Sequence, residues 1–274
     1  MTSSPTPFEE APAEPGAGGA PLEMQDDAHG LDTAGWWALG LGLGLAVATL
    51  VVPLLETLVG YFVVLVHEMG HAAAGWLFGY PSLPAFDFRY GGGVTTHAGE
   101  QSRFIVVAVL CGLAVLGLAF RANRLTLGVV AGVTAVYAGL AFTGAHEAVI
   151  VAMGHGGELI FAFVFLQRAF TGSACKLPAE RPLYAWIGFY IVFYSTGFAW
   201  RLATSALARA QYADAKGGGH WMDFSRLGRD HAHLSVEAIA GIFLVLCLVT
   251  PLVALAWSWI GPWRDELRLR LGQV

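Results

Sequence analysis

The sequence predicts an all-α polytopic membrane protein: a bundle of six or seven transmembrane helices, with a short β-hairpin after the second. Three observations carry this. The chain has 274 residues, 56% of them hydrophobic and only 13% charged, with a mean hydropathy of +0.59; soluble domains carry about 25% charged residues. Apolar runs long enough to cross a bilayer recur from Trp36 onward. In hydrocarbon only helices and closed barrels satisfy every backbone group, and runs this long are helical. A net charge of -5 with 15 Lys plus Arg excludes the basic footprint of a nucleic-acid-binding protein. Of the three cysteines, Cys111 and Cys247 sit inside apolar runs, so no disulfide framework is expected.

Residues 1–34 hold seven acidic residues, Glu9 to Asp32, and no Lys or Arg. Such a segment buries too little apolar surface to offset its ordering entropy and is expected to be a disordered acidic tail. It lacks the basic start and apolar stretch of a signal peptide. Residues 35–262 form the expected membrane domain. Its spans are Trp36 to Leu55, Leu58 to Phe78, Phe104 to Phe120, Leu125 to Phe142, Gly144 to Phe170, Leu183 to Leu202 and Ala238 to Ile260. The count falls to six if residues 144–170, interrupted by Gly154-His155-Gly156-Gly157-Glu158, form a re-entrant element. Between the second and third spans, Phe86 to Tyr90, a glycine triplet and Val94 to His97 read as a hairpin. Arg209 to His233 reads as a solvated polar loop, and residues 263–274 as a short charged tail. Basic residues divide almost evenly between the two sides, which leaves orientation open.

The second span contains Val66-His67-Glu68-Met69-Gly70-His71. At 100° per residue, His67 and His71 stand one turn apart on one helical face, where two imidazoles can bind one metal ion. Glu68 lies beside that face, able to reach a water on the metal without being a ligand. This is the zinc metalloprotease arrangement, with two His ligands and a Glu as general base. Three ionisable residues deep in an apolar helix cost several kcal/mol unless paired or metal-bound, so they mark function. Gly70, Ala72, Ala73, Ala74 and Gly75 add a small-residue surface on which another backbone can approach closely.

This segment, with Trp76-Leu77-Phe78-Gly79-Tyr80-Pro81 after it, resembles the site-2 protease family of intramembrane zinc metalloproteases as a divergent member. The resemblance implies Zn2+ as cofactor, a membrane-embedded or membrane-adjacent protein as substrate, and a third ligand from a later span. The family takes that ligand from an Asp in a Leu-Asp-Gly motif, which no apolar segment here contains. His155-Gly156-Gly157-Glu158-Leu159 has the same outline with His155 in the ligand place, the glycines breaking the helix so that the ring projects into the bundle. Glu158 is the alternative, as ligand or as hydrogen-bond partner of a ligating His. Asp223 or His220 could fold back over the site from the polar loop. His146-Glu147 is read as marking the membrane surface, and Glu56 and Glu237 as meeting water or an Arg.

The expected activity is therefore that of an intramembrane zinc metallopeptidase: His67, His71 and His155 holding zinc, Glu68 as general base, and the hairpin edge holding an extended substrate. Two other classes stay open. A membrane di-iron desaturase or hydroxylase would use His67 and His71 with His231 and His233. A metal-binding transporter, or a pseudoprotease, would not need Glu68. The expected location is an integral, multi-pass one, with a bacterial cytoplasmic membrane as its setting.

Overall fold

The computed structural model describes the backbone of residues 31, 33–89, 91–218 and 222–270, and their side chains except 216–218 and 260–270. The chain begins with α1 (Thr33–Val51). Extended Val52 then breaks the path, and Pro53, whose missing N–H is not needed in a first turn, opens α2 (Pro53–Leu77). The hairpin follows as β1 (Ser82–Phe86) and β2 (Gly93–His97), antiparallel, with Ser82 opposite His97 and Phe86 opposite Gly93. Gly91 and Gly92 take φ of 75° and 86° in its turn, where a side chain would be strained. Next come α3 (Arg103–Ala119) and α4 (Arg124–Ala141), the latter capped by the Asn123 side chain accepting from the Thr126 N–H. Helix α5 (Ala145–Thr171) ends at Gly172 in the left-handed region. The rest is α6 (Glu180–Thr204), α7 (Ala206–Gly218), the single turn α8 (Asp223–Arg226), a π-helical turn over Leu227–Ala232, and α9 (Val236–Arg270).

Five helices are long and apolar enough to cross a membrane: α1, α2, α4, α5 and the Val236–Trp259 part of α9. Helix α3 is apolar but has 17 residues, and α6 has 25 with tyrosines, Ser195 and Thr196 along it. These seven helices overlap the seven apolar runs, although Pro53 to Leu55, read as the end of the first run, open α2, and the fold is that of an all-α polytopic membrane protein.

Helix α6 lies among α1, α5 and α9, and its Ala185, Tyr190 and Ile191 are fully buried with Leu166 and Ala169 of α5. Glycines set the closest approaches. A Cβ on Gly42 would strike Ala185, and one on Gly70 would strike the Met153 carbonyl. The small-residue surface of α2 thus serves two neighbours: Gly70 admits α5, and Gly75 admits Ser82 and His97 of the hairpin.

Several expectations change. Residues 154–157 do not break the helix, since α5 is continuous through them and no re-entrant element forms. Their glycines make room for neighbours instead. The polar loop is mostly helical, and β1 begins four residues before Phe86, leaving Asp87 to Arg89 in the turn. His146 is buried within the protein, while Glu147 beside it is exposed: Tyr80 Oη lies 3.0 Å from His146 Nε2, and the Thr143 carbonyl 2.5 Å from its Nδ1. The C-terminal segment expected as a charged tail continues α9 to Arg270. The acidic segment up to residue 30, with Asp32, lies outside the described residues, as do His220 and residues 271–274.

Candidate metal centre

Helices α2, α5 and α8 bring four of the expected residues together. His67 Nε2 lies 2.8 Å from Asp223 Oδ2. His71 Nε2 lies 3.0 Å from the same oxygen and 3.1 Å from His67 Nε2. These three atoms form a near-equilateral triangle, and His67, His71 and Asp223 form one group able to hold a metal ion. Around a tetrahedral ion with bonds of about 2.0–2.1 Å, ligand atoms stand roughly 3.3 Å apart. The donors would need to spread by only a few tenths of an ångström, so the set fits.

The far sides of the two rings decide what the triangle contains. His71 Nδ1 faces the backbone carbonyl of Ile150 at 2.8 Å. A carbonyl only accepts, so this nitrogen carries the proton, and a neutral ring then presents a lone pair at Nε2. His67 Nδ1 faces Glu158 Oε1 at 2.8 Å, which assigns its proton in the same way. With both rings neutral, two lone pairs and a carboxylate oxygen converge, an arrangement that suits a cation. Carboxylate and carbonyl partners of this kind hold ligating histidines in orientation.

Glu158 is the hub behind the rings. Besides His67 it faces His155 Nδ1 (3.0 Å) through Oε1, and Oε2 accepts from Ser195 Oγ (2.5 Å). A buried carboxylate with three donors is satisfied without an ion of its own, although His67, His155 and Glu158 form a second group of potential ligands. The expected set of His67, His71 and His155 is not a group whose ligand atoms converge. Asp223 takes the third place beside the paired Nε2 atoms. The His155 ring is enclosed by Phe198, Phe224 and Phe243, with centroids 5.3, 4.5 and 4.7 Å away.

Glycine geometry explains the run around His155. A Cβ on Gly154 would overlap His71 Nε2 and come within 2.6 Å of two atoms of the His67 ring, and one on Gly157 would meet Gly70. Gly154 forms the floor on which the imidazoles lie, and Gly157 lets the α2 backbone approach.

Asp223 is fixed from both sides. The Phe224 N–H donates to Tyr212 Oη at 3.1 Å, tying α8 to α7. On the other side the two imidazoles face Asp223 Oδ2. Burial, with the nearby Asp223 charge, pushes the Tyr212 phenol up.

Glu68 belongs to neither ligand group among the described residues. Its Oε2 accepts from Thr95 Oγ1 of β2 at 2.6 Å, and its backbone oxygen lies 3.0 Å from the same hydroxyl. A Cβ on Gly93 would overlap the Glu68 side chain, so only glycine lets β2 lie over it. A cavity of about 1070 Å³ opens beside these groups, lined by Glu68, His67, His71 and Asp223 and also by His97 and Arg226. Burial, with the charge of Arg226 adding to it, lowers the proton affinity of His97.

His231 and His233 join neither ligand group. Glu237 pairs with Arg209 at 3.5 Å, and the backbone oxygen of Glu56 accepts from Tyr190 Oη. Sequence reasoning did not single out Thr95, Ser195 or Tyr212. Only the hydroxyl at 195 carried a signal, a polar residue within an apolar span.

Fold and site together define a polytopic membrane protein with a buried histidine–carboxylate cluster able to hold a metal ion. No family model, no curated protein and no solved structure matches the chain.

Proposed function

We propose that this protein is a membrane-embedded zinc metallopeptidase. The observation that carries the reading is the convergence of His67 Nε2, His71 Nε2 and Asp223 Oδ2, with both Nδ1 protons already directed at acceptors. Two imidazoles and one carboxylate suit zinc and leave a coordination position for a reactant. Bound zinc supplies Lewis-acid polarisation of a carbonyl and lowers the pKa of water toward about 7.

The chain's own groups do the rest. Glu68 takes the proton of the attacking water and passes it to the leaving amine. Thr95 holds one carboxylate oxygen, leaving the other for that proton. Glu158 and the Ile150 carbonyl keep the two rings in the required tautomer. A membrane-embedded or membrane-adjacent polypeptide, unwound locally, would lie extended beside β2, as a protease requires. A two-iron enzyme would need further histidines at the centre, and a transporter would have no use for a carboxylate held in this way.

The test is metal content alongside cleavage of an unfolded membrane-anchored reporter in the same vesicles. Wild type and Glu68→Gln are expected to hold one zinc per chain, and Glu68→Gln to cleave at least about 100-fold more slowly. Asp223→Ala should lose the metal, whereas His155→Phe should keep it. An active chain without bound metal, or undiminished cleavage by Glu68→Gln, would overturn the proposal.

A further inference from the structure

The cavity is lined by a charge that the chemistry above does not use. Asp223 and Arg226 are three residues apart in α8, so their side chains leave neighbouring positions on one helical face. Both line the cavity, as does His97 of β2. Among the described residues the Arg226 guanidinium makes no hydrogen bond or salt bridge with another side chain. Arg229, one turn on, differs: it is outside the cavity and donates twice to Asp230, at 2.6 and 3.1 Å. Asp87, a carboxylate that also lines the cavity, accepts from the Arg89 N–H at 3.0 Å. His97 feels the charge of Arg226, and its own ring favours the neutral form. The cavity thus holds a half-buried guanidinium, all donor and no acceptor, with a planar fork that matches a carboxylate.

We propose that Arg226 binds a carboxylate of the substrate. Three helical residues rise about 4.5 Å, and an extended peptide advances about 3.3 Å per residue. The acidic group would therefore sit one or two residues beyond the bond cut beside Asp223. It is either a free C-terminus or an Asp or Glu side chain. This inference rests on the peptidase reading of the site and adds the substrate class to it.

The experiment measures binding to the full-length, zinc-loaded Glu68→Gln protein in detergent micelles. The probes are three versions of one apolar hexapeptide: one with a C-terminal carboxylate, one with a carboxamide, and a carboxamide with Asp at its penultimate position. The acid is expected to bind about tenfold tighter than the amide, or more, as a charged hydrogen-bonded pair would give. Arg226→Ala and Arg226→Gln should abolish that preference, Arg226→Lys should keep part of it, and Arg229→Ala should keep all of it. If the Asp-containing amide binds like the acid, side-chain carboxylates are taken; if it binds like the plain amide, the site reads C-termini.

Equal binding of all three peptides to the Glu68→Gln protein, or a preference that survives in Arg226→Ala and Arg226→Gln, would overturn the proposal. Equal thermal midpoints for the variants confirm that folded proteins are compared. Because binding is the readout, loss of the acid preference with cleavage intact sinks this inference alone. Intact preference without cleavage by wild type sinks the peptidase reading alone.

Discussion

Helices α2 and α5 and helices α3 and α4 are two apolar, glycine-containing pairs that behave differently. The first pair meets through Gly70, Gly154 and Gly157, where an added Cβ would strike a backbone carbonyl, an imidazole or a facing glycine. In the second pair, Gly112, Gly128, Gly132 and Gly139 have nothing within 4 Å of a Cβ position. Helix α3 buries Val106 alone, whereas α5 buries ten residues, His155 and Glu158 among them. Lipid is as good a neighbour as leucine for an apolar side chain, so α3 and α4 gain little from close packing. A histidine or a carboxylate has no partner in lipid. Polar residues therefore dictate where helices must touch, and glycines at those places have steric work that they lack elsewhere.

Substitutions sharpen this contrast. The largest effect is expected from Gly154→Ala, whose methyl group would displace the His67 and His71 rings. Zinc affinity measured by competition with a chelator should fall about 100-fold or more, with overpacking costing roughly 1–3 kcal/mol in stability. Unchanged zinc binding would mean that the rings are not seated on that floor. Glu158→Gln comes next. It keeps the shape but weakens the hold on the His67 Nδ1 proton, and zinc affinity should drop about 10–100-fold, the usual cost of losing such a partner. Affinity equal to wild type would reduce Glu158 to a packing residue. Gly132→Ala in α4 should have the smallest effect, leaving zinc binding unchanged and raising the thermal midpoint slightly, since alanine in an open helical position is favoured by about 0.5–1 kcal/mol. A clear loss of stability there would show that α4 has a close neighbour after all.

The same contrast explains how far the sequence could be read. His67, Glu68 and His71 were legible because four-residue spacing within one helix fixes their relation before any tertiary contact forms. The hairpin was legible from its glycine triplet, though its first strand starts earlier than the aromatic alternation suggests. Asp223 could be named only as one of several residues able to fold back, because 156 positions separate it from His67. The glycines around His155 suggested a broken helix. Their function is contact with α2, and a sequence does not reveal which helix lies opposite.

Hydropathy and local periodicity alone determined the membrane class, the places of the seven long helices, and a pair of imidazoles with a carboxylate beside them. These properties depend on nearest neighbours and on the apolar solvent. Chain folding alone decided that Asp223 completes the triangle, that Glu158 stands behind His67, and that Thr95 holds Glu68. Each of those contacts joins segments far apart in sequence, and each forms because a buried polar group must find a partner wherever packing brings one within reach.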